Sequence, residues 1–178
     1  MYVGGVMYTL FPQFLSHSEC DNVLARYKNC EFTSIGTLQK DGSYQDNKTI
    51  RNNSQIIFDD EWLMGTLRER LSSLVRLSYI HNEFRISRYG PGQFFKPHKD
   101  GSRQQKTNTT MLISLNDDFV GGETRFWERS VKEEPQTYRP KKGSLIMFPQ
   151  TPNAVWHEGC AVTKGVKFVV RGDMFVEA

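Results

Sequence analysis

The sequence has few cysteines and histidines, and it lacks any long apolar run. The three cysteines, Cys20, Cys30 and Cys160, form no CxxC pair and are odd in number, which favours reduced thiols in a reducing compartment over a disulfide framework. A membrane-spanning helix needs about 18 consecutive apolar residues, and every apolar run in this sequence is much shorter. The first residues show no basic segment followed by an apolar one, so no secretory signal is expected. These absences predict a cytoplasmic protein without a membrane partner.

The composition otherwise describes one folded unit with a mildly basic charge. With 178 residues, the chain is long enough to bury about two thirds of its unfolded surface. No repeat, linker or low-complexity segment divides it, so we predict a single domain over residues 1–178. The formal net charge of +3 permits an anionic partner but does not indicate one, because nucleic-acid binding needs a clustered basic patch. Nothing in the sequence indicates an oligomeric state.

The N-terminal 80 residues predict two helices separated by a polar segment. Ser16 followed by Glu19 is a capping box, which predicts a helix over residues 17–27. Apolar residues at helical spacing predict a second helix over about residues 61–75. The polar residues 36–48 between the helices predict a surface loop or a mobile lid.

From residue 81 onward, short strands alternate with glycine and proline turns. Strands are predicted at residues 82–89, 94–100, 109–115, 123–127, 144–148, 154–157 and 166–175. Strands that recur about every 8–12 residues are typical of an all-β sandwich or barrel. We therefore predict a mainly β fold, α+β in class, in which two N-terminal helices cover one sheet.

One histidine and one carboxylate in these strands are candidate metal ligands. His98 and Asp100 are two residues apart in an extended segment, so their side chains point to the same face, although such a pair is weak evidence alone. A third ligand must come from a neighbouring strand. His157 is placed to project beside the pair, whereas His17 lies in a helix and His81 at a strand entrance. Two imidazoles and one carboxylate with open positions are typical of non-haem Fe(II) oxygenases.

A candidate anion-binding residue lies ten positions after His157. Lys167, Val169 and Arg171 alternate onto one face of the last predicted strand. If that face lines a barrel, Lys167 is a buried cation, which is costly unless an anion pairs with it. A dicarboxylate cosubstrate bound to the metal through its 2-oxo acid end would supply that anion.

Several motifs resemble the prolyl 4-hydroxylase-like branch of the Fe(II)/2-oxoglutarate-dependent dioxygenases. The matching segments, in order, are residues 88–95, 98–100, 115–116, 121–126, 140–148, 157–162 and 165–167. Residues 11–20 also resemble the opening strand and helix of the family. Nearly the whole chain is covered, and the order and spacing of independent motifs carry the resemblance.

The resemblance implies a fold and a set of site residues. The expected core is a double-stranded β-helix (jelly roll) over residues 81–178, and residues 1–80 supply covering helices, the first strands and a lid loop. The implied iron ligands are His98, Asp100 and His157. The implied 2-oxoglutarate contacts are Lys167, at the distal carboxylate, and Tyr89. Arg171 departs from the family, which often has a small hydroxylated residue there, and is either a second carboxylate contact or a surface residue.

The resemblance also implies the chemistry. With Fe(II) and O₂, 2-oxoglutarate would be oxidatively decarboxylated to succinate and CO₂ while a substrate C–H bond is hydroxylated, with ascorbate expected as reductant. The preferred substrate is a peptidyl proline or another protein residue. A free amino acid or small metabolite is the alternative, because the chain is short and shows no separate peptide-binding domain.

Two further functional alternatives rank below these substrates. Nucleic-acid oxidative demethylation is third, since basic residues surround the proposed mouth of the site: Arg85, Arg88, Lys96, Lys99, Arg103 and Lys106. A catalytically silent jelly-roll binding module is the non-enzymatic rival. Such a module would be expected to have lost a metal ligand or the lysine that binds the distal carboxylate. Here the three implied ligands and Lys167 are all present.

Overall fold

The computed structural model describes residues 7–34, 37–38, 44–45, 47–101 and 106–177. Most of the predicted loop at residues 36–48, as well as Arg103, lies outside these residues. The helices are α1 His17–Tyr27 and α2 Glu61–Ser72. The strands are β1 Thr9–Phe11, β2 Thr33–Ser34, β3 Thr37–Leu38, β4 Tyr44–Gln45, β5 Ser54–Phe58, β6 Leu77–Ile80, β7 Phe84–Tyr89, β8 Phe95–His98, β9 Thr109–Ser114, β10 Val120–Gly121, β11 Thr124–Trp127, β12 Gln136–Tyr138, β13 Leu145–Pro149, β14 Trp156–Gly159, β15 Val162–Lys164 and β16 Lys167–Val176.

Both helices begin at side-chain caps. The Ser16 hydroxyl accepts the Glu19 N–H, and the Glu19 carboxylate accepts the Ser16 N–H, which confirms the predicted capping box. Asp60 accepts the Leu63 N–H at 2.9 Å and caps α2. The second helix ends at residue 72 rather than 75, because the buried stripe stops at Leu71 and the following Leu74 is exposed. Neither helix is long and apolar enough to cross a membrane.

The larger sheet separates the helices from the site. Among the described residues its strand order is β1-β13-β9-β16-β7-β5-β2, with β6 also paired to β16. One face, with Phe84 and Ile86 of β7, packs in a core with the apolar residues of α1 and α2. The alternation of β7 places Ser87 and Tyr89 on the other face, where Tyr89 packs on Val162 and Val169. The sequence prediction that the helices cover one sheet is therefore confirmed.

A smaller sheet covers the face opposite the helices. Its strand order is β12-β11-β14-β8, and its Phe126 and Tyr138 pack against Ile146 and Phe148 of the larger sheet. Two facing antiparallel sheets form the predicted double-stranded β-helix, or jelly roll. The strands predicted from residue 81 onward are present within three residues at each end, whereas the short strands β2, β3, β4, β6, β10, β12 and β15 were not predicted. The assignment of residues 1–178 to one domain stays a prediction.

Candidate metal centre and cosubstrate site

The pairing of two strands in the smaller sheet brings the candidate ligands together. β8 and β14 are antiparallel with His98 opposite His157, and the centroids of the two imidazole rings are 4.2 Å apart. Asp100 follows β8, and its Oδ1 lies 3.8 Å from His98 Nε2 while its Oδ2 lies 3.7 Å from His157 Nε2. One ligand atom from each of the three residues lies within 4.8 Å of the others.

Both histidines turn an unprotonated nitrogen toward the carboxylate. His98 Nδ1 lies 2.8 Å from the Lys96 carbonyl oxygen, and His157 Nδ1 lies 3.3 Å from that of Val155. Because a carbonyl only accepts hydrogen bonds, each Nδ1 carries the proton and each Nε2 keeps its lone pair. Burial lowers the pKa of His98 to about 3, and it also lowers the pKa of His157. Both rings are therefore neutral, as metal ligation requires.

Asp100 is held ionised between these rings. Burial opposes ionisation, but Arg171 and the two histidines, together with a hydrogen bond from Thr110, bring the pKa of Asp100 well below its usual range. The Thr110 hydroxyl donates to Asp100 Oδ2 at 2.7 Å. Two neutral imidazoles and one carboxylate with positions left open are the donor set that suits Fe(II). The residues present therefore fit an iron centre.

Aromatic rings fix both imidazoles. Phe95 stacks on His98 with ring centroids 3.6 Å apart. The ring centroids of Phe148 and His157 are 4.6 Å apart. The guanidinium of Arg51 lies 4.5 Å from the centroid of the Phe95 ring on β8. Phe148 is fully buried, so it is a core residue that also packs on the candidate ligand His157.

Lys167 and Tyr89 face each other across neighbouring strands of the larger sheet. They are register partners in β16 and β7, and Lys167 Nζ lies 5.4 Å from the Tyr89 ring centroid. Lys167 is 4% exposed, and burial lowers its pKa to about 8. Its ammonium donates to the Gly122 carbonyl at 2.7 Å, while no carboxylate of the described residues forms an ion pair with it.

Tyr89 lies between Lys167 and the strand that carries His157. A Cβ added to Gly159, two residues after His157, would lie 3.6 Å from the Tyr89 hydroxyl oxygen. Burial raises the pKa of Tyr89, so its hydroxyl keeps its proton. This placement suits a hydrogen-bond donor to a bound molecule that runs from Lys167 toward the candidate metal ligands.

Arg171 lies beside the candidate metal ligands, four residues along β16 from Lys167. Its Nη2 is 3.3 Å from Asp100 Oδ2 and 3.0 Å from Asp173 Oδ1. The sequence left open whether Arg171 is a carboxylate contact or a surface residue. The carboxylates that it contacts belong to the protein itself, and its role toward 2-oxoglutarate stays a prediction.

The sequence did not reveal the polar residues behind Asp100. Thr110, Gln150 and Asp173 are buried and hydrogen-bonded to one another or to Asp100. Alternation along β9 and β16 places Thr110 and Asp173 on the inner face, and this signal was available in the sequence. No local pattern indicated Gln150, which follows β13.

Two of the predicted basic residues, Arg85 and Arg88, lie on opposite faces of β7. Arg85 is the register partner of Arg171 on the inner face, whereas Arg88 lies on the other face of β7, 5.9 Å from the ring of Phe32. Lys99 lies 5.5 Å from the ring of Trp156. A nucleic-acid substrate stays the third-ranked prediction.

Comparison with known proteins assigns the chain to a family. Residues 84–172 match the model of the 2OG-Fe(II) oxygenase superfamily, and the chain belongs to that superfamily. Among curated relatives it is 27% identical to probable prolyl 4-hydroxylase 9 of Arabidopsis thaliana over 89% of this chain and 65% of the relative. It is 25% identical to prolyl 4-hydroxylase 1 of the same plant over 87% of this chain and 64% of the relative. The chain thus spans a little under two thirds of these relatives.

Solved structures share the fold. The viral collagen prolyl hydroxylase of Paramecium Bursaria Chlorella virus-1, in its 2-oxoglutarate complex, superposes with a TM-score of 0.67 at 19% identity, covering 95% of this chain and 96% of that one. A prolyl hydroxylase of Trichoplax adhaerens, bound to a hypoxia inducible factor peptide fragment, superposes with a TM-score of 0.73 at 16% identity. The superposition covers 95% of this chain and 83% of that one. At these identities the likeness shows the jelly-roll fold alone.

Proposed function

We propose that the protein is an Fe(II)- and 2-oxoglutarate-dependent dioxygenase that hydroxylates a peptidyl proline or another protein residue. The observation that carries this proposal is the convergence of His98, Asp100 and His157, whose ligand atoms lie within 4.8 Å of one another. Membership of the superfamily supports the reaction class, and similarity to prolyl 4-hydroxylases supports the substrate class.

In this proposal the three side chains hold Fe(II) from one side. Each imidazole offers Nε2 and the carboxylate offers one oxygen, which leaves positions for the cosubstrate. When bound, the iron would supply the O₂ activation and redox chemistry that no side chain provides. The protein's own part is to keep the imidazoles neutral, to keep the carboxylate ionised and to enclose the reacting groups.

Lys167 and Tyr89 bind the cosubstrate in this proposal. A lysine ammonium has three donors, and the Gly122 carbonyl takes one of those of Lys167. A buried ammonium that has no carboxylate partner among the described residues is stabilised by an incoming anion. The distal carboxylate of 2-oxoglutarate fits this position, and the Tyr89 hydroxyl would donate to the bound dicarboxylate.

Two finer assignments belong to the same proposal. We propose a cytoplasmic location, supported by the three cysteines, which are all free thiols. We also propose ascorbate as the reductant, following the resemblance to prolyl 4-hydroxylases. Omitting ascorbate should shorten the linear phase of turnover, and cell fractionation with a tagged full chain checks the location.

The test is succinate release from 2-oxoglutarate with Fe(II) and ascorbate, followed by mass spectrometry for a +16 Da product. Peptide and metabolite pools are offered separately, and a product in the peptide pool is expected. Asp100→Ala should abolish succinate release, whereas Asp59→Ala, an exposed aspartate before α2, should not change it. No succinate release with either pool, together with no effect of His98→Ala on iron binding, would favour a silent binding module. A product in the metabolite pool alone would overturn the protein substrate.

A further inference from the structure

A buried chain of hydrogen bonds ends on one oxygen of Asp100. The Thr110 hydroxyl, which is fully buried, donates to Asp100 Oδ2 at 2.7 Å. Gln150 Nε2 donates to Thr110 Oγ1 at 3.0 Å, and the Thr107 hydroxyl donates to Gln150 Oε1 at 2.7 Å. Thr107 lies just before β9, Thr110 lies within it and Gln150 lies just after β13, so two separate parts of the chain meet behind Asp100.

The direction of every bond in this chain is fixed. Gln150 Nε2 lies 2.6 Å from Asp173 Oδ1, and a carboxylate only accepts, so this atom must be the amide nitrogen. The same nitrogen therefore donates its second hydrogen to Thr110. Since a threonine hydroxyl has a single hydrogen and the Thr110 oxygen is already an acceptor, its hydrogen points to Asp100.

Backbone hydrogen bonds also join the segment after β13 to Asp100 and to the residues before β9. The Thr151 N–H donates to the Asp100 carbonyl oxygen at 3.1 Å, and the Gln150 N–H donates to the Asn108 carbonyl oxygen at 2.8 Å. The segment that follows β13 thus contacts both the main chain and, through Thr110, the side chain of Asp100. Gln150 is 1% exposed, so water does not compete for these bonds.

We propose that Thr110 and Gln150 are positioning residues that hold Asp100 Oδ2 and so present Oδ1 to the metal. Gln150 acts through Thr110, because its amide orients the Thr110 hydroxyl. The inference rests on the proposed function, since it needs a metal at His98, Asp100 and His157. Outer hydrogen bonds of this kind typically change metal affinity by about 10–100-fold.

Arg171 contacts the same oxygen but is a poor probe of this role. Its guanidinium is 3.3 Å from Asp100 Oδ2, and its removal would lose a contact and also relieve repulsion of a divalent cation. These effects on metal affinity have opposite signs. Thr110 and Gln150 are uncharged, so substitutions there change the orientation of Asp100 without changing the charge of the site.

The test is titration of the full chain with Mn²⁺ alone, with thermal unfolding of the metal-free protein measured beside it. Thr110→Val keeps the side-chain shape and should weaken Mn²⁺ binding about 10–100-fold, whereas Thr110→Ser should keep near wild-type affinity. Thr109→Val is the matched control, because Thr109 lies on the other face of β9 from Thr110 and its hydroxyl donates to Asn108 Oδ1 at 2.9 Å. Equal Mn²⁺ affinity of Thr110→Val and Thr109→Val would overturn the proposal.

A double-mutant cycle tests the order of action. Gln150→Leu should weaken Mn²⁺ binding in the wild-type background and should add no further loss in the Thr110→Val background. Fully additive losses would show that Gln150 does not act through Thr110. If Gln150→Leu does not fold, the comparison of Thr110→Val with Thr110→Ser decides the proposal. A wild-type chain that binds no Mn²⁺ would contradict the proposed function itself.

Discussion

His157 lies directly opposite His98 in the antiparallel pair of β14 and β8. This register places two imidazoles from distant parts of the sequence side by side, with ring centroids 4.2 Å apart. Asp100 comes two residues after His98, and its carboxylate oxygens lie 3.8 Å and 3.7 Å from the Nε2 atoms of His98 and His157. Strand pairing, rather than a flexible loop, therefore sets the spacing of the two candidate metal-binding nitrogens.

Substitution of His157 should remove metal binding while the fold is kept. At Mn²⁺ concentrations near 100 times the dissociation constant, binding stabilises a protein by about 2.7 kcal/mol. For a chain of this size that corresponds to a rise in Tm of roughly 5–10 °C. We expect this rise in the wild type and none in His157→Ala, measured by thermal unfolding with and without Mn²⁺.

His17→Ala is the control for that measurement. His17 is exposed in the first turn of α1, so its removal should leave the Mn²⁺-dependent rise in Tm intact. A rise that survives in His157→Ala would place the metal elsewhere. Loss of the rise in His17→Ala would show that the response does not come from the site.

Features encoded locally could be predicted from the sequence, whereas contacts between distant segments could not. The capping box at Ser16 and Glu19 and the strand predicted over residues 82–89 depend on neighbouring residues, and both predictions are confirmed. Gln150 contacts Thr110 and Asp173, which are 40 and 23 residues away. Such a contact depends on the order of strands across the sheet, which periodicity does not contain. The contact of Arg171 with Asp100 was missed for the same reason.

The affinity for 2-oxoglutarate should fall at alkaline pH. Burial lowers the pKa of Lys167 to about 8, and a bound carboxylate would raise it again. Below about pH 8 the ammonium is already charged, so affinity should be flat. Above that pH, binding must take up a proton, and affinity should fall by up to about tenfold per pH unit until the pKa of the complex is reached.

This pH dependence can be measured by calorimetric titration of the Mn²⁺-loaded protein with 2-oxoglutarate from about pH 7 to 9.5. Lys167→Arg should abolish the alkaline fall, because a guanidinium keeps its proton throughout this range. Lys164→Arg, at an exposed position of β15, is the matched control and should keep the alkaline fall. An alkaline fall of the same size in Lys167→Arg would assign it to another group.

Loss of the Tyr89 hydroxyl should weaken cosubstrate binding modestly. A single hydrogen bond contributes about 1 kcal/mol, so Tyr89→Phe should raise the 2-oxoglutarate dissociation constant roughly fivefold. Tyr138→Phe is the control, since the Tyr138 hydroxyl bonds to Ser144. That variant should lose stability in urea unfolding but keep its affinity for 2-oxoglutarate. The role of Tyr89 is refuted if Tyr89→Phe binds 2-oxoglutarate as the wild type does.

Gly122 should be required both for the turn and for the position of Lys167. Its φ is +67°, and an added Cβ would lie 3.0 Å from Phe119 and Val162 side-chain atoms and 3.3 Å from Lys167 Cδ. Gly122→Ala should therefore cost about 1–2 kcal/mol of unfolding free energy and also weaken 2-oxoglutarate binding by moving the ammonium. Urea unfolding and titration with 2-oxoglutarate measure the two effects separately.

Gly92→Ala separates backbone strain from the displacement of Lys167. Gly92 has a similar φ of +77°, but an added Cβ there meets nothing within 4 Å. It should therefore lose a comparable unfolding free energy while 2-oxoglutarate affinity stays unchanged. If both variants bind 2-oxoglutarate equally well, the contact between Gly122 and Lys167 does not position the anchor. A loss confined to Gly122→Ala would show that this glycine turn sets the place of the buried ammonium.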